Sequence, residues 1–235
     1  MRFRYLIEKG TNPYRNLAIE QELMKKTSHD MAILYLWQND NTVVIGRNQD
    51  VYNECNVDEF TQGGGRIARR KSGGGAVYHD LGNLNYSILS VASEKITLQY
   101  HRIIMRALDI IGIKSEFNGR NDIIIEGRKC SGNAIYQNGE MLCQHGTILV
   151  NTDIGRMNSV LTPDKSKLDR NHVSSVSSRV INLNEINSEI DVNTMINAMI
   201  VAADAEKMQK SLDIDKISKL MSFYEDKTWI YGGKQ

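Results

Sequence analysis

The chain has 235 residues, a formal net charge of +1 and 41% hydrophobic residues, enough for one large or two small domains with a sizeable core. That balance gives no global attraction for nucleic acid or an anionic membrane. No apolar run approaches the ~20 residues of a membrane span, and Met1-Arg2-Phe3-Arg4-Tyr5-Leu6-Ile7 is too short and too soon charged for a signal peptide. Cys55, Cys130 and Cys143 show neither metal spacing nor an even disulfide set, which points to a reducing, cytoplasmic setting.

In chain order, Asn12-Pro13 followed by Leu17 to Lys26 predicts a helix with an asparagine cap and proline in its first turn. Ile33 to Trp37 and Thr42 to Ile45 read as strands joined by the turn-prone Asn39-Asp40-Asn41. Ile67 to Arg70 and Ala76 to Tyr78 read as short strands on either side of a glycine loop, and Leu84 to Ser90 as a further strand. Ile103, Ile104, Ala107, Ile110 and Ile111 recur at helical spacing between Leu98 and Ile111, with Gly112 as the stop.

Ile123 to Ile125, Ala134 to Tyr136 and Met141 to Val150 suggest a β-meander, with turns at Glu126-Gly127 and Asn138-Gly139. Helices follow at about Asn193 to Gln209 and Asp215 to Tyr224. No internal repeat, low-complexity tract or linker divides the chain. The pattern predicts an α+β fold, a mixed and largely antiparallel sheet flanked by helices.

The segment with the most chemistry is Arg69-Arg70-Lys71-Ser72-Gly73-Gly74-Gly75-Ala76-Val77-Tyr78-His79-Asp80. Consecutive glycines let a backbone approach a ligand closely. The cations before them suit a phosphate or carboxylate, arginine above all because its planar fork matches an oxyanion. On an extended segment Arg70 points opposite to Arg69 and Lys71, which can then be solvated. The string is not a phosphate-binding Walker loop, since no Gly-Lys-Ser/Thr closes it, and the dinucleotide fingerprint is missing as well.

This string, continued through Leu81-Gly82-Asn83 to Ser87, resembles the signature of the lipoate–protein ligase family, which is related to the biotin–protein ligases. Further segments match in order: Gly119-Arg120-Asn121-Asp122, Gly127-Arg128-Lys129-Cys130-Ser131-Gly132-Asn133-Ala134, and Gln144-His145-Gly146-Thr147-Ile148-Leu149. The stretch Leu161 to Leu168 then leads to Ser174 to Val180, so the likeness runs from about Asn12 to Trp229.

The resemblance implies a single catalytic domain over residues 1–235 and two-step acyl transfer with ATP, lipoate and magnesium. Lys129 is implied as the central cation, beside both the acyl carbonyl and the α-phosphate. Arg70 is implied at the α-phosphate or the lipoate carboxylate. Ser72, Gly74, Gly75, Ala76, Val77, Tyr78, His79 and Asn83 are implied around the ligands, as are Asn121, Ser131, Gly132, Ala134, His145, Gly146 and Thr147. Asp122 is implied at the magnesium, a hard ion that prefers carboxylate oxygen. The implied partners are the lipoyl domains of 2-oxoacid dehydrogenase E2 subunits, the glycine-cleavage H protein, and a separate accessory subunit. Trp37, Val43, Val44 and Ile45 are candidate walls for an apolar slot, and serve equally as core.

Two departures stand out. Many relatives carry His-His-Gly-Thr where this chain has Gln144-His145-Gly146-Thr147. Two-domain bacterial ligases continue past the segment matching Phe223 to Trp229 into an accessory domain, which this chain, stopping at Gln235, leaves out. Either the sequence is cut at that boundary or the protein lacks the domain. Two other readings stay open: an ATP-independent lipoyl or octanoyl transferase using a cysteine thioester, with Cys143 better placed than Cys130, and a non-catalytic lipoyl-binding protein. The polar stretch Leu161 to Ser178 is expected to be a mobile loop that orders over the adenylate.

Overall fold

In the computed structural model, described residues are 1–92, 94–119, 121–162, 179–209 and 212–232, with backbone alone for 94–99. The elements are β1 (Arg2–Ile7), α1 (Pro13–Met24), β2 (Met31–Trp37), β3 (Thr42–Ile45), α2 (Val51–Glu54), α3 (Val57–Gln62), β4 (Arg66–Arg69), β5 (Val77–His79) and β6 (Asn83–Val91). They continue as α4 (Glu94–Ile110), β7 (Glu116–Phe117), β8 (Asp122–Ile125), β9 (Arg128–Asn138), β10 (Met141–Leu149), α5 (Ile154–Val160), α6 (Leu183–Ile186), α7 (Val192–Ala203), β11 (Ala205–Lys207), α8 (Ile214–Glu225) and α9 (Lys227–Tyr231).

An eight-stranded sheet runs in the order β11-β1-β2-β6-β10-β9-β8-β7, and a three-stranded one in the order β4-β3-β5. The pairs β11–β1 and β1–β2 are parallel, and every pairing from β2 to β7 is antiparallel. This is the α+β, largely antiparallel architecture that the pattern predicts. The meander of β8, β9 and β10 is also present. Its first turn places Glu126 and Gly127 at φ 50° and 77°, the left-handed pair of a two-residue hairpin.

Strand alternation explains the layers. On β2, Leu34 and Leu36 face a core that includes Ile104 and Leu108 of α4 and Met195 and Met199 of α7. Ile33, Tyr35 and Trp37 face the opposite core, with Leu17 and Leu23 of α1 and Ile217 and Tyr224 of α8. A strand covered on both faces reads as a continuous apolar run rather than an alternating one. The small sheet has its own core, in which Val43, Ile45 and Ile67 pack with Phe60 and Ile230.

The turn-prone Asn39–Asn41 corner, with Asn41 at φ 40°, sends the chain from β2 in the large sheet to β3 in the small one. Two expectations are corrected. The helix expected from about Asn193 to Gln209 stops at Ala203. Asp204 takes the left-handed conformation, φ 49°, which ends a helix, and the next residues pair with β1 as an edge strand. Arg69 is not solvated but is 1% exposed. Its guanidinium donates to the carbonyls of Trp229, Ile230, Gly46, Arg47 and Gln49 at 2.7–3.0 Å. Lys71 is half-buried and lies over the ring of Phe223 at 5.0 Å. Of the stretch expected to be a mobile loop, residues 163–178 lie outside the described residues.

No helix among the described residues is long and apolar enough to cross a membrane. The three cysteines are buried free thiols.

Arg69 ties the last helix and the turn after β3 to the small sheet. Arg69→Leu should lower unfolding free energy by about 3 kcal/mol, because it strands buried carbonyls, and Arg69→Lys should recover less than half. A wild-type urea midpoint for Arg69→Leu would refute this.

Candidate active site

A cavity of about 290 Å³ opens between the two sheets, close to the lower end of the ~300–1,000 Å³ typical of small-molecule sites. Of the four candidate wall residues, Trp37 of β2 and Val44 of β3 line the cavity, whereas Val43 and Ile45 point into the core of the small sheet. Gly74, Gly75 and Ala76 with Val77, Tyr78 and His79 form the glycine-loop side. Lys129, Ser131, Gly132 and Ala134 of β9 form the opposite side, together with Asn121 and with His145, Gly146 and Thr147 of β10. Arg70 lines the cavity too, whereas Ser72, Asn83 and Asp122 stand behind the lining.

Those three act through neighbours. The buried Asn83 donates through Nδ2 to Asn85 Oδ1 at 2.9 Å, and Asn85 is the residue that lines the cavity. Asp122 Oδ1 lies 2.8 Å from Lys129 Nζ, and Asp122 also accepts a bond from Asn118 Nδ2 at 3.2 Å. The register pairs Asp122 with Gly132, and this glycine makes room for the ion pair. A Cβ at Gly132 would fall 2.5 Å from Lys129 Nζ and 3.2 Å from Asp122 Oδ1. Gly146 plays a matching part, since a Cβ there would meet Gly132 O at 2.4 Å.

Arg70 is buried, and its fork is committed to the loop that follows it. Nη2 donates to the carbonyls of Gly73 and Gly75 at 2.7 Å each, Nη1 to Val44 O at 3.0 Å, and Nε to Ser72 Oγ at 3.0 Å. Burial lowers its pKa to about 10, against the pull of Glu20. The cation thus shapes the glycine loop before it meets any ligand. Gly74 needs to be glycine there because φ is 90°, and Gly46 needs to be glycine because a Cβ on it would fall 2.3 Å from Gly74 O.

Ser72 passes the network on. Its Oγ is 2.6 Å from His145 Nε2, and His145 Nδ1 is 2.8 Å from Glu20 Oε2. Glu20 also accepts from Ser87 Oγ at 2.5 Å, and Ser87 Oγ accepts from Trp37 Nε1 at 3.1 Å. Burial raises the Glu20 carboxyl, but the charge and hydrogen bond of His145 and the Ser87 bond outweigh it, and the net shift is downward. The carboxylate therefore accepts from His145 Nδ1–H, and His145 Nε2 meets the Ser72 hydroxyl. Glu20 was missed in the sequence. The one signal was a carboxylate among Leu17, Ile19 and Leu23 on the apolar side of α1.

His79 is set differently. Asn16 Nδ2 donates to Asn39 Oδ1 at 3.0 Å, which turns Asn39 Nδ2 toward His79 Nδ1 at 3.1 Å. The ring proton is then on Nε2, which has no partner among the described residues. Burial, with Arg70 and His145 nearby, pushes the His79 pKa down to about 3. His79 is thus a neutral, buried ring set within the cavity wall.

The cysteines are inert in this setting. Burial raises Cys130 to about 12 and Cys55 to about 11, and it raises Cys143 well above its ordinary value, assisted by Glu20. A nucleophilic thiol needs the opposite shift. Cys143 does lie with Glu20 and His145, ligand atoms within 4.8 Å of one another, but His145 spends both ring nitrogens on Ser72 and Glu20.

The sequence profile described as "Lipoyl protein ligase A/B catalytic domain" matches residues 12–204. The chain belongs to this family. It is 38% identical over 200 residues to "Lipoate-protein ligase A" of Blochmanniella floridana, covering 83% of this chain and 59% of that relative. The chain thus spans about three fifths of such relatives' length. Among solved structures it is similar to P. falciparum LipL1 in complex with lipoate, at 29% identity and a TM-score of 0.84, over 99% of this chain and 75% of that one. It is also similar to protein Ta0514 from T. acidophilum with bound lipoic acid, at 25% identity and a TM-score of 0.81, over 99% of each chain.

The buried neutral His79 sets a pH dependence. Its folded pKa of about 3 lies below its ordinary 6.5, so between those values the unfolded chain binds a proton that the folded chain refuses. Stability is then complete above pH 6.5 and lost as pH falls toward 3, with a slope of up to about 1.4 kcal/mol per pH unit. Urea unfolding of His79→Asn between pH 4 and 6.5 should show a shallower slope than wild type, and equal slopes would contradict the assignment.

Proposed function

We propose that this domain activates lipoate with ATP and passes the lipoyl group to a lysine of a lipoyl-accepting protein. The observation that carries this reading is the Lys129 ammonium, held by Asp122 at 2.8 Å on a cavity wall that faces Gly74 and Gly75. In the first step a lipoate carboxylate oxygen bonds to the α-phosphorus of ATP and pyrophosphate leaves. In the second an acceptor amine attacks the acyl carbonyl and AMP leaves. Negative charge develops within the same few ångströms in both, first on phosphorus oxygens and then on the carbonyl oxygen. A fixed cation serves both transition states without being consumed.

The family membership supports the reading, as do the ligase name of the B. floridana relative and the lipoate in the two similar structures. The chemistry of the cavity supports it too. Trp37, Leu17 and Val44 suit an alkyl chain and dithiolane, while the backbone of the glycine loop suits carboxylate and phosphate oxygens. An apolar slot discriminates weakly between similar chains, so octanoate should compete with lipoate.

Asp122 fits magnesium only in company. Magnesium takes one or two carboxylates plus waters and substrate phosphates, and Asp122 is one carboxylate already paired with Lys129. An ion brought by ATP would offset phosphate charge, with Asp122 at its edge and Lys129 turned to the transferring group. The acceptors in this reading are lipoyl domains of 2-oxoacid dehydrogenase E2 subunits or the glycine-cleavage H protein. An accessory subunit or domain would assist activation.

The test is pyrophosphate release from ATP and lipoate, with and without an apo-lipoyl domain, beside transfer from synthetic lipoyl-AMP. Release with acceptor labelling is expected. Transfer without release would assign activation to an accessory subunit, and failure of both would end the reading. Lys129→Ala should reduce both half-reactions by at least about 100-fold with an unchanged melting temperature.

A thioester route predicts something else: acyl exchange without ATP that Cys143→Ser abolishes. With the thiols held protonated, Cys143→Ser should instead leave ATP-dependent labelling within about threefold of wild type.

A further inference from the structure

The turn between β7 and β8, which carries Asn121 and Asp122, is gripped from below by a residue outside the cavity. His101 of α4 is 7% exposed. Its ring lies on Phe117 of β7, centroids 3.9 Å apart and planes tilted by 34°. Its Nε2 faces two amide nitrogens, Asn133 Nδ2 at 3.1 Å and Gln144 Nε2 at 3.3 Å.

Both amides are oriented by other bonds. Gln144 Nε2 also donates to Asn133 Oδ1 at 3.0 Å, and Asn133 Nδ2 also donates to Asn121 O at 2.8 Å. The nitrogens therefore face His101 with N–H groups, and its Nε2 can only accept. The imidazole is neutral with its proton on Nδ1, the form that burial also favours. Gln144 suits this arrangement, since one NH₂ carries a hydrogen for each acceptor, whereas a histidine offers a single N–H per nitrogen.

The turn is fixed at both ends as a result. Phe117 enters it stacked on His101. Asn121 leaves it bonded to Asn133 through three contacts: Asn133 N and Nδ2 donate to Asn121 O, and Asn121 Nδ2 donates to Asn133 O at 3.3 Å. Within the turn, Asp122 N donates to Asn118 Oδ1 at 3.1 Å and Asn118 N donates to Asp122 O at 3.1 Å. Asn121 then lines the cavity, and Asp122 reaches Lys129.

We infer that His101 is a positioning residue, which through Phe117 and Asn133 sets the turn that holds Asn121 against the cavity and Asp122 against Lys129. It touches no ligand itself. Its kinetic consequence rests on the ligase reading, in which this turn borders the ATP phosphates rather than the acyl slot. Loss of His101 should weaken ATP use selectively, because Trp37, His79 and Glu20 on the acyl side belong to other elements.

The test compares wild type, His101→Ala and His101→Gln by hydrogen–deuterium exchange and by the KM values for MgATP and lipoate. In His101→Ala, exchange in residues 117–124 should quicken about tenfold while β6 and β10 keep wild-type rates. The KM for ATP should rise about fivefold with that for lipoate within about twofold. His101→Gln, whose Oε1 can accept the same N–H groups, should recover most of both effects. Wild-type exchange in the turn of His101→Ala, quickened exchange throughout α4 and the sheet, or equal rises in both KM values would overturn the inference. Should wild type neither form adenylate nor transfer from lipoyl-AMP, the ligase reading falls on that result, while the exchange comparison still decides whether His101 positions the turn.

Discussion

Two consecutive arginines are buried here, and the site is built around how each is solvated. A guanidinium removed from water must find oxygen acceptors or leave its donors orphaned. Arg69 finds them in the backbone of the last helix and of the turn after β3. Arg70 finds them in the carbonyls of Val44, Gly73 and Gly75 and in Ser72. Because they alternate along an extended segment, one cation points to each side of the small sheet. One closes the chain's C-terminal end onto the sheet, and the other folds the glycine loop over the cavity.

From Arg70 a continuous polar path leads through Ser72, His145, Glu20 and Ser87 to Trp37. It crosses from the loop to β10, to α1, to β6 and finally to β2. Each member is buried, and the carboxylate of Glu20 accepts from both His145 and Ser87. Such a path is costly if any member is removed, because the remaining groups stay buried without partners. It couples the glycine loop to the apolar wall. The apolar wall and the glycine-loop side of the cavity are therefore joined by one hydrogen-bonded path.

The opposite side is built from the meander. There the register of β8 on β9 puts Asp122 beside Gly132, and the missing Cβ leaves the space that Lys129 and Asp122 share. Asn133, Gln144 and His101 lie beneath as a second polar cluster, which supports a turn rather than a wall. Lys129 thus stands between two independently braced surfaces, one presenting a glycine loop and the other a carboxylate.

Much was legible along the chain because it is local. Helices announce themselves by caps and periodicity, as at Asn12 and Ile103 to Ile111, and hairpins by Glu126-Gly127 and Asn138-Gly139. The glycine loop, Lys129 and Gly132 were legible as motifs because their chemistry lies in adjacent residues. The strands β1 and β11 were not, since edge pairing in parallel leaves no alternation to read. Nor was the separation of β2 from β3, which depends on which sheet each joins. The sequence by itself determined the fold class and the cavity's chemical types. Only the tertiary structure decided that Arg69 is a buried strut, that Asn83 and Ser72 work from behind the wall, and that Glu20 and His101 belong to the site at all. The physical reason is that burial and hydrogen-bond partnership join residues more than a hundred positions apart in the case of Glu20 and His145, and no pattern within a helix or strand encodes such a pairing.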